Sequence, residues 1–418
     1  MPSTNIVRTH KIIYLLITVI TSLIVIIPSY PQQGKDAKKE LTTLVERYIT
    51  GGESERITLL EQIKVFDTIY SNEIAGWIKT IAKAIDKKSK HDKKDGNLHH
   101  PKYPIKYALI GDTSGKKLSL LVALHGGGAD KSANNGQWKI MQQLWKNDTF
   151  TLLAVPRVWD DSSSLGWNLE SGIESVIAMI DELKRTYPID TNSIYLEGDS
   201  MGAWGVYSIG TVEADHFAAL FVNSGGYSNP ISLPNLLNTP IAIYIGEKDT
   251  HFKRLDYCRK AKEKLEEMQK QYPDGYKLLY KEIAGKGHDV PKDVRLEGLQ
   301  WLKKFSRNPL PKHVIWEPVS KNKKHFYWLK IDELTQGMRI EAEIKDKVNV
   351  IIKTKSVSKF TLFLNDKLVD FNKPIKVEVN GAEKYNAKLQ PSLTAILESY
   401  VAKEDAEMIF TARVEISN

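Results

Sequence analysis

The 418-residue sequence contains a single cysteine, Cys258, so no disulfide can form within the chain. Cys258 lies in a helix-like stretch that has no histidine at a metal-ligating or catalytic spacing, which predicts a buried and inert thiol. The sequence also lacks the periodic repeats of a solenoid. Its net charge of +8 is small for this length, and no nucleic-acid-binding motif accompanies the basic residues. These absences exclude a disulfide-stapled fold, and we expect no nucleic-acid partner.

One long apolar segment, residues 12–27, lies near the N-terminus and follows Arg8 and Lys11. A basic flank before an apolar segment is typical of a secretory signal peptide. If cleavage follows Ser29, the bulky Ile27 stands two positions earlier, where a small residue is typical. An uncleaved membrane anchor is therefore the alternative. Residues 1–30 are therefore predicted to be a signal peptide or anchor. The rest of the chain is predicted to lie outside the cytoplasm, periplasmic or secreted, in an oligomeric state that the sequence does not indicate.

The next two segments differ in their hydrophobic periodicity. Residues 35–98 are predicted to form a helical prefix, packed on the following domain, and a charged linker. Over residues 99–308 short apolar runs alternate with amphipathic stretches, which predicts a mainly parallel sheet covered by helices on both faces. We expect its strands at Leu118–Leu124, Phe150–Val155, Ile194–Glu197, Ala218–Val222, Ile241–Ile245 and Lys277–Ile283, and its helices at Gly172–Thr186, Ala203–Val212, Lys253–Gln271 and Lys292–Lys304.

Residues 309–418 are rich in strand-like runs and predict a separate small β-rich domain with its own core. Asn380-Gly381 predicts a type I′ hairpin turn, which needs a positive φ at both positions. The expected strands are Phe326–Ile331, Met338–Ile344, Val348–Thr354, Phe360–Leu364, Ile375–Val379 and Phe410–Glu415, with one helix at Ser392–Ala402.

The strongest chemical signal is Gly198-Asp199-Ser200-Met201-Gly202, which fits G-x-S-x-G between an apolar run and a helix-compatible stretch. A serine at a sharp strand-to-helix turn needs neighbours without a Cβ, because the backbone there passes close to an adjacent strand and helix. The helix N-terminus favours developing negative charge at the serine. We interpret Ser200 as a nucleophile; the alternative is an ordinary turn serine.

A glycine-rich turn, His125-Gly126-Gly127-Gly128, follows the first predicted strand. Glycines leave backbone N–H groups open to a substrate, so one of them and the N–H of Met201 are predicted to bind the oxyanion of a tetrahedral intermediate. Gly127 is the first choice and Gly128 the alternative. His125 lies on this turn and precedes Ser200 in the sequence, which favours a structural role over that of the catalytic base.

A serine nucleophile needs a base, and the base needs an orienting acid, in the chain order serine, acid, histidine. Asp249 is the preferred acid and Glu247 the alternative, because both follow an apolar run whose C-terminal end lies at the same sheet edge as Ser200. His288 is the predicted base. Two other histidines lie between Ser200 and the end of this domain. His216 precedes Asp249, and His251 follows it by two residues, too close to bridge the acid and a serine on another loop.

Aromatic residues on the loops expected to border the cleft are candidate substrate contacts, although packing in the core or at its rim is their default role. These candidates are Trp159, Trp167 and Tyr227. The motifs imply neither a metal nor an organic cofactor.

Together, GDSMG, HGGG, the GEKD acid loop and the GKGHDVP histidine loop resemble the α/β-hydrolase superfamily. Within it they resemble the esterase and prolyl-oligopeptidase-like branch, which includes polyhydroxybutyrate-depolymerase-like and feruloyl-esterase-like proteins. The resemblance covers roughly residues 100–307, and it implies an α/β-hydrolase fold with a triad of Ser200, Asp249 and His288. Asp199 stands where many relatives carry other residues. The C-terminal stretch resembles an appendage of uncharacterised bacterial hydrolases, which implies no activity.

The resulting functional prediction is a serine esterase that acts through an acyl-enzyme on a small-molecule or polymer-linked ester. The short spacings between Ser200, Asp249 and His288 leave little room for a lid, which favours an open cleft. One alternative is a serine peptidase of the prolyl-oligopeptidase-like type. The other is an inactive hydrolase scaffold whose C-terminal domain binds a glycan.

Overall fold

The computed structural model describes residues 35–67, 76–77, 80–81, 102–103, 105–111, 117–127, 133–145, 151–158, 166–227 and 231–418. The predicted signal peptide or anchor, including residues 12–27, and most of the predicted linker lie outside these ranges. Among the helices in the described ranges, none has the length and apolarity needed to cross a bilayer.

In the described part of the chain, seven strands form a central sheet in the order β1-β3-β2-β4-β5-β6-β7. Of these seven, only β1 pairs antiparallel to its neighbour. The predicted mainly parallel sheet is therefore confirmed, but the sequence analysis missed β1, a four-residue strand at the edge. The strands are β1 Tyr107–Ile110, β2 Leu118–Leu124, β3 Thr151–Pro156, β4 Ile189–Asp199, β5 Ala219–Asn223, β6 Ile241–Gly246 and β7 Leu278–Ile283.

Helices cover both faces of this sheet, as predicted. Within the described ranges, the helices with defined bounds are α1 Lys35–Thr50, α2 Glu53–Lys64, α3 Ala133–Trp145, α4 Glu170–Thr186, α5 Met201–Val212, α6 Arg254–Gln271, α7 Lys292–Leu302 and α8 Leu393–Lys403. Side chains alternate between the two faces of a strand. Tyr195 of β4 lies in the core under α3 and α7, and Leu196 lies in the core under α4, α5 and α6.

The C-terminal residues form two further sheets, with strand orders β16-β13-β10-β9 and β15-β14-β12-β11-β8. The predicted hairpin turn is confirmed, since Asn380 and Gly381 have φ values of 50° and 85°. The single strand predicted over Phe326–Ile331 is wrong: it is a tight hairpin that turns at Tyr327, with φ 51°. The strands are β8 His313–Trp316, β9 His325–Phe326, β10 Leu329–Lys330, β11 Arg339–Ile344, β12 Asn349–Lys355, β13 Lys359–Leu364, β14 Pro374–Val379, β15 Ala382–Lys388 and β16 Ala412–Ser417.

The C-terminal sheets do not have the separate core that the sequence predicted. Their buried side chains and those under α4, α5 and α6 form one continuous apolar cluster. Asp215, fully buried in the loop before β5, also accepts hydrogen bonds from the Lys323 ammonium at 2.9 Å and the Tyr327 N–H at 2.8 Å, and it pairs with Lys403. Two lysine ammonium groups thus neutralise the Asp215 carboxylate and tie the C-terminal residues to the loop before β5.

The helical prefix docks on α8. Leu41 and Val45 of α1 and Ile63 of α2 pack in one cluster with Ile396 and Leu397, whereas the sequence predicted packing on the domain that follows the prefix. A second set of contacts fixes the join. The Asp67 carboxylate, just after α2, accepts hydrogen bonds from the Thr394 N–H at 3.1 Å and from the Ser392 hydroxyl at 2.8 Å, at the N-terminus of α8 where negative charge is favourable.

Candidate active site

Ser200 lies at the turn between β4 and α5, with φ 54° and ψ −114°. Such backbone angles are strained for a residue other than glycine. Its N–H donates to the Asn223 carbonyl oxygen at 3.0 Å, which ties the turn to β5. At Gly202 a Cβ would lie 2.2 Å from the Leu124 carbonyl oxygen, so the close approach of α5 to β2 requires glycine there, as predicted.

The structure brings together the three residues predicted as a triad. His288 Nε2 lies 2.9 Å from Ser200 Oγ, and His288 Nδ1 lies 2.7 Å from Asp249 Oδ2. Because Asp249 follows β6 and His288 follows β7, two parallel neighbours, both residues lie at the sheet edge where β4 ends at Ser200. With Nδ1 donating to the carboxylate, Nε2 is left to accept the serine proton.

Glu247, the alternative acid, takes a different part in the site. Its Oε2 accepts the N–H of Gly285 at 2.8 Å, and so it braces the loop that carries the histidine. Asp249 is nearly fully buried, whereas the His288 side chain is 42% exposed. The nitrogen that contacts Ser200 therefore belongs to a ring that solvent and solutes can reach.

Arg254, which the sequence analysis missed, binds the other side of Asp249. Its Nε and Nη2 donate to Asp249 Oδ1 at 2.9 and 2.7 Å, and both side chains are buried. Arg254 is the first residue of α6, five positions after Asp249. The guanidinium neutralises the buried carboxylate and fixes its orientation toward His288.

Replacing Arg254 by methionine is expected to lower the free energy of unfolding by about 3–5 kcal/mol, because it leaves a buried carboxylate without its cation. We expect kcat to fall about tenfold as well, since Asp249 then loses its orientation. Urea unfolding measures the change in stability, and the turnover rate measures the change in kcat. The matched control is Arg259→Met, which removes an exposed arginine of the same helix paired with Glu282; equal losses in both variants would contradict this role for Arg254.

The predicted oxyanion turn lies against the nucleophile. Leu124 pairs with Gly198 across β2 and β4, and a Cβ on Gly126 would lie 2.9 Å from Ser200 Cβ. Gly127 follows, exposed and with φ 77°, while Met201 is the first residue of α5, so its N–H has no partner within the helix. The alternative donor, Gly128, lies outside the described residues. The assignment of Gly127 and Met201 as oxyanion donors stays a prediction.

His125 has the structural role that the sequence favoured. Its side chain is buried, and Nε2 accepts the N–H of Val158 at 3.1 Å. Trp167 packs edge-on against this ring and donates its indole N–H to the His125 carbonyl oxygen at 3.1 Å. The prediction that Trp167 contacts substrate is wrong, because this side chain is fully buried.

Two other aromatic candidates stay predictions. Trp159 lies outside the described residues. Tyr227 is half-buried beyond the end of β5, and its ring contacts those of Tyr207 and Tyr257. Nearby, burial raises the pKa of the Cys258 thiol to about 12, and the thiol donates to the Gly225 carbonyl oxygen, which confirms the prediction of a buried, inert cysteine.

No protein-family model matches the chain, and no curated protein matches it in sequence. Among solved structures, a thermostable esterase is similar, with 24% identity over 50% of this chain and a TM-score of 0.42, and this chain spans 62% of its length. Esterase PE8 has 19% identity, covers 48% of this chain and 98% of its own, and has a TM-score of 0.38. A carboxylesterase from Mesorhizobium loti has 15% identity, covers 50% of this chain and 99% of its own, and has a TM-score of 0.36.

The central sheet and the site of this chain define its fold independently of those distant similarities. The central sheet is parallel apart from its edge strand, and the serine lies at a strained turn between β4 and α5. An acid and then a histidine follow at the C-terminal ends of β6 and β7. With this topology and this order of site residues, the chain has the α/β-hydrolase fold.

Proposed function

We propose that the protein is a serine hydrolase that cleaves carboxylic esters through an acyl-enzyme. The observation that carries this proposal is the chain of hydrogen bonds from Ser200 Oγ through the His288 ring to Asp249. A serine hydroxyl is a weak nucleophile by itself, and an imidazole held in one orientation by a carboxylate activates it.

In the first step His288 Nε2 takes the proton of Ser200 as Oγ attacks the ester carbonyl carbon. The negative charge that develops on the carbonyl oxygen is stabilised by the N–H groups of Gly127 and Met201. Asp249 stabilises the imidazolium. The tetrahedral intermediate then collapses, the C–O bond to the alcohol breaks, and His288 returns its proton to the leaving alkoxide.

In the second step water enters the vacated position. His288 takes a proton from this water, and the resulting hydroxide attacks the acyl carbon. The second tetrahedral intermediate releases the carboxylic acid, while His288 returns the proton to Ser200 Oγ. All proton transfers pass through one nitrogen, so the reaction needs no co-reactant besides water.

The accessibility of the site supports an ester donor that is bulky or attached to a polymer. The His288 ring is 42% exposed. From residue 231 to 288 the chain forms β6, α6, β7 and short connections, and no lid domain is inserted within this described range. Tyr227 and Trp159 are the proposed contacts with the substrate. An extracytoplasmic location stays part of the proposal and is supported by the sequence of residues 8–27 alone.

The proposal is tested with purified protein on p-nitrophenyl acetate and butyrate, beside peptide p-nitroanilides. Treatment with a fluorophosphonate, followed by peptide mapping, identifies the residue that is modified. We expect ester turnover and modification of Ser200. Faster cleavage of the anilides than of the esters would favour the peptidase instead, and folded protein with neither turnover nor labelling would contradict a hydrolase of any kind.

A further inference from the structure

Glu197 is a fully buried carboxylate on β4, three residues before Ser200. On this strand Gly198 faces the helix that begins after Ser200, and Glu197 faces the opposite side, where α3 and α7 pack. Burial raises the pKa of Glu197, and the nearby Arg295 opposes that shift. A carboxylate in this position is costly to bury unless its partners are well placed.

Its partners come from two different helices. Gln137 of α3 donates from Nε2 to Glu197 Oε1 at 2.6 Å. Arg295 of α7 donates from Nη2 to both carboxylate oxygens, at 3.1 and 2.9 Å, and is itself buried. Since Arg295 Nε has no hydrogen-bond partner in the described structure, the contacts with Glu197 are the ones that orient this guanidinium.

These three elements are neighbours in the chain of the proposed reacting groups. The strand of Glu197 ends at the Ser200 turn, and α7 begins four residues after His288. Helix α3 begins six residues after Gly127 in the sequence, and residues 128–132 between them lie outside the described ranges. A single carboxylate on the strand of the nucleophile therefore binds two helices, one that follows the base and one that follows the predicted oxyanion turn in the sequence, on the side of the sheet away from α5.

We propose that Glu197 is a positioning residue that fixes the relative placement of Ser200, His288 and the oxyanion turn by binding α3 and α7 at once. The inference rests on the proposed function, because it assigns a role in that reaction. Apolar side chains of similar volume fill such a space with equal stability, but they lack the directionality of a charge-assisted hydrogen bond. Directionality matters here, since a misplacement of about 1 Å between reacting groups costs up to about 100-fold in rate.

The test is Glu197→Gln, which keeps the size of the side chain and removes the charge that holds Arg295. We expect kcat for p-nitrophenyl butyrate to fall about 10- to 100-fold, with KM within about twofold, because no surface that contacts substrate changes. The rate at which a fluorophosphonate labels Ser200 is expected to fall in parallel, since labelling also depends on the contact between Ser200 and His288.

The matched control is Asp405, which contacts the other end of the same strand. Asp405 pairs with Arg307 and accepts a hydrogen bond from Thr191 of β4 at 2.8 Å, and both charged side chains are as buried as those of the Glu197 pair. Asp405→Asn is expected to lower Tm by a similar amount while kcat stays at the wild-type value, at a temperature where both variants are folded by circular dichroism. A similar loss of kcat in the control would assign both effects to general destabilisation and would overturn the inference.

Two further outcomes are decisive. A folded Glu197→Gln protein with wild-type kcat overturns the positioning role and leaves the proposed function intact, because wild-type turnover remains. Absence of both turnover and Ser200 labelling in the wild type overturns the proposed function, and the inference with it. Should Glu197→Gln fail to fold, Gln137→Leu tests the link to α3 with the ion pair preserved: we expect about a tenfold lower kcat at unchanged KM, and an unchanged kcat overturns the inference.

Discussion

Replacing Ser200 by alanine is expected to lower kcat for ester hydrolysis by about 10⁴- to 10⁶-fold. The variant lacks the oxygen that forms the acyl-enzyme, so His288 and the oxyanion donors can only assist direct attack by water. The fold is expected to survive, because Ser200 is a turn residue whose N–H, which alanine keeps, makes the contact with β5. We expect fluorophosphonate labelling to disappear while Tm changes little.

Ser208→Ala is the matched control for that experiment. Ser208 is a buried serine on the same helix, and its hydroxyl has no hydrogen-bond partner within the described structure. Its loss is expected to leave turnover and labelling at wild-type levels. Comparable turnover by the Ser200→Ala and Ser208→Ala proteins would show that another group carries the reaction.

Replacing Gly246 by alanine is expected to disrupt the site by displacing the loop that carries the base, His288. A Cβ on Gly246 would lie 1.9 Å from the Gly287 carbonyl oxygen and 2.6 Å from that of Lys286, and both contacts are with backbone. The loop that carries His288 must therefore move. We expect kcat to fall about 100-fold and the free energy of unfolding to fall by about 3 kcal/mol, measured by ester kinetics and urea unfolding.

Gly287→Ala separates the steric effect from a general intolerance of substitution in this loop. A Cβ on Gly287 meets nothing within 4 Å, and its φ is not in the positive range. This variant is expected to keep near wild-type stability. If Gly246→Ala were as stable as Gly287→Ala, β6 and the histidine loop would not be packed as closely as described.

The sequence was sufficient for the residues that follow a local pattern. Ser200 has a glycine two residues before it and another two residues after it. Asp249 and His288 each follow an apolar run, so their place at one sheet edge follows from parallel pairing. Arg254 and Glu197 were missed for a physical reason. Their roles depend on which side chains meet across the sheet, and an arginine at a helix start or a glutamate in a strand has no local signature.

Misassigned aromatic and strand residues show the same limit. Trp167 is on a loop in sequence, yet it is fully buried against His125, because loop residues can fold inward as readily as outward. The run Phe326–Ile331 is apolar and aromatic apart from Lys330, which predicts one strand. The positive φ of Tyr327, which sequence propensity does not reveal, divides it into two short strands.

The docking of the prefix on α8 has a consequence for biosynthesis. Thr394 follows its partner Asp67 by 327 residues, so the ribosome completes α1 and α2 long before it makes the surface that covers them. Until α8 is made, Leu41, Val45 and Ile63 form an exposed apolar surface that is prone to aggregation. A chain that is truncated before α8 therefore keeps that face exposed to chaperones and proteases.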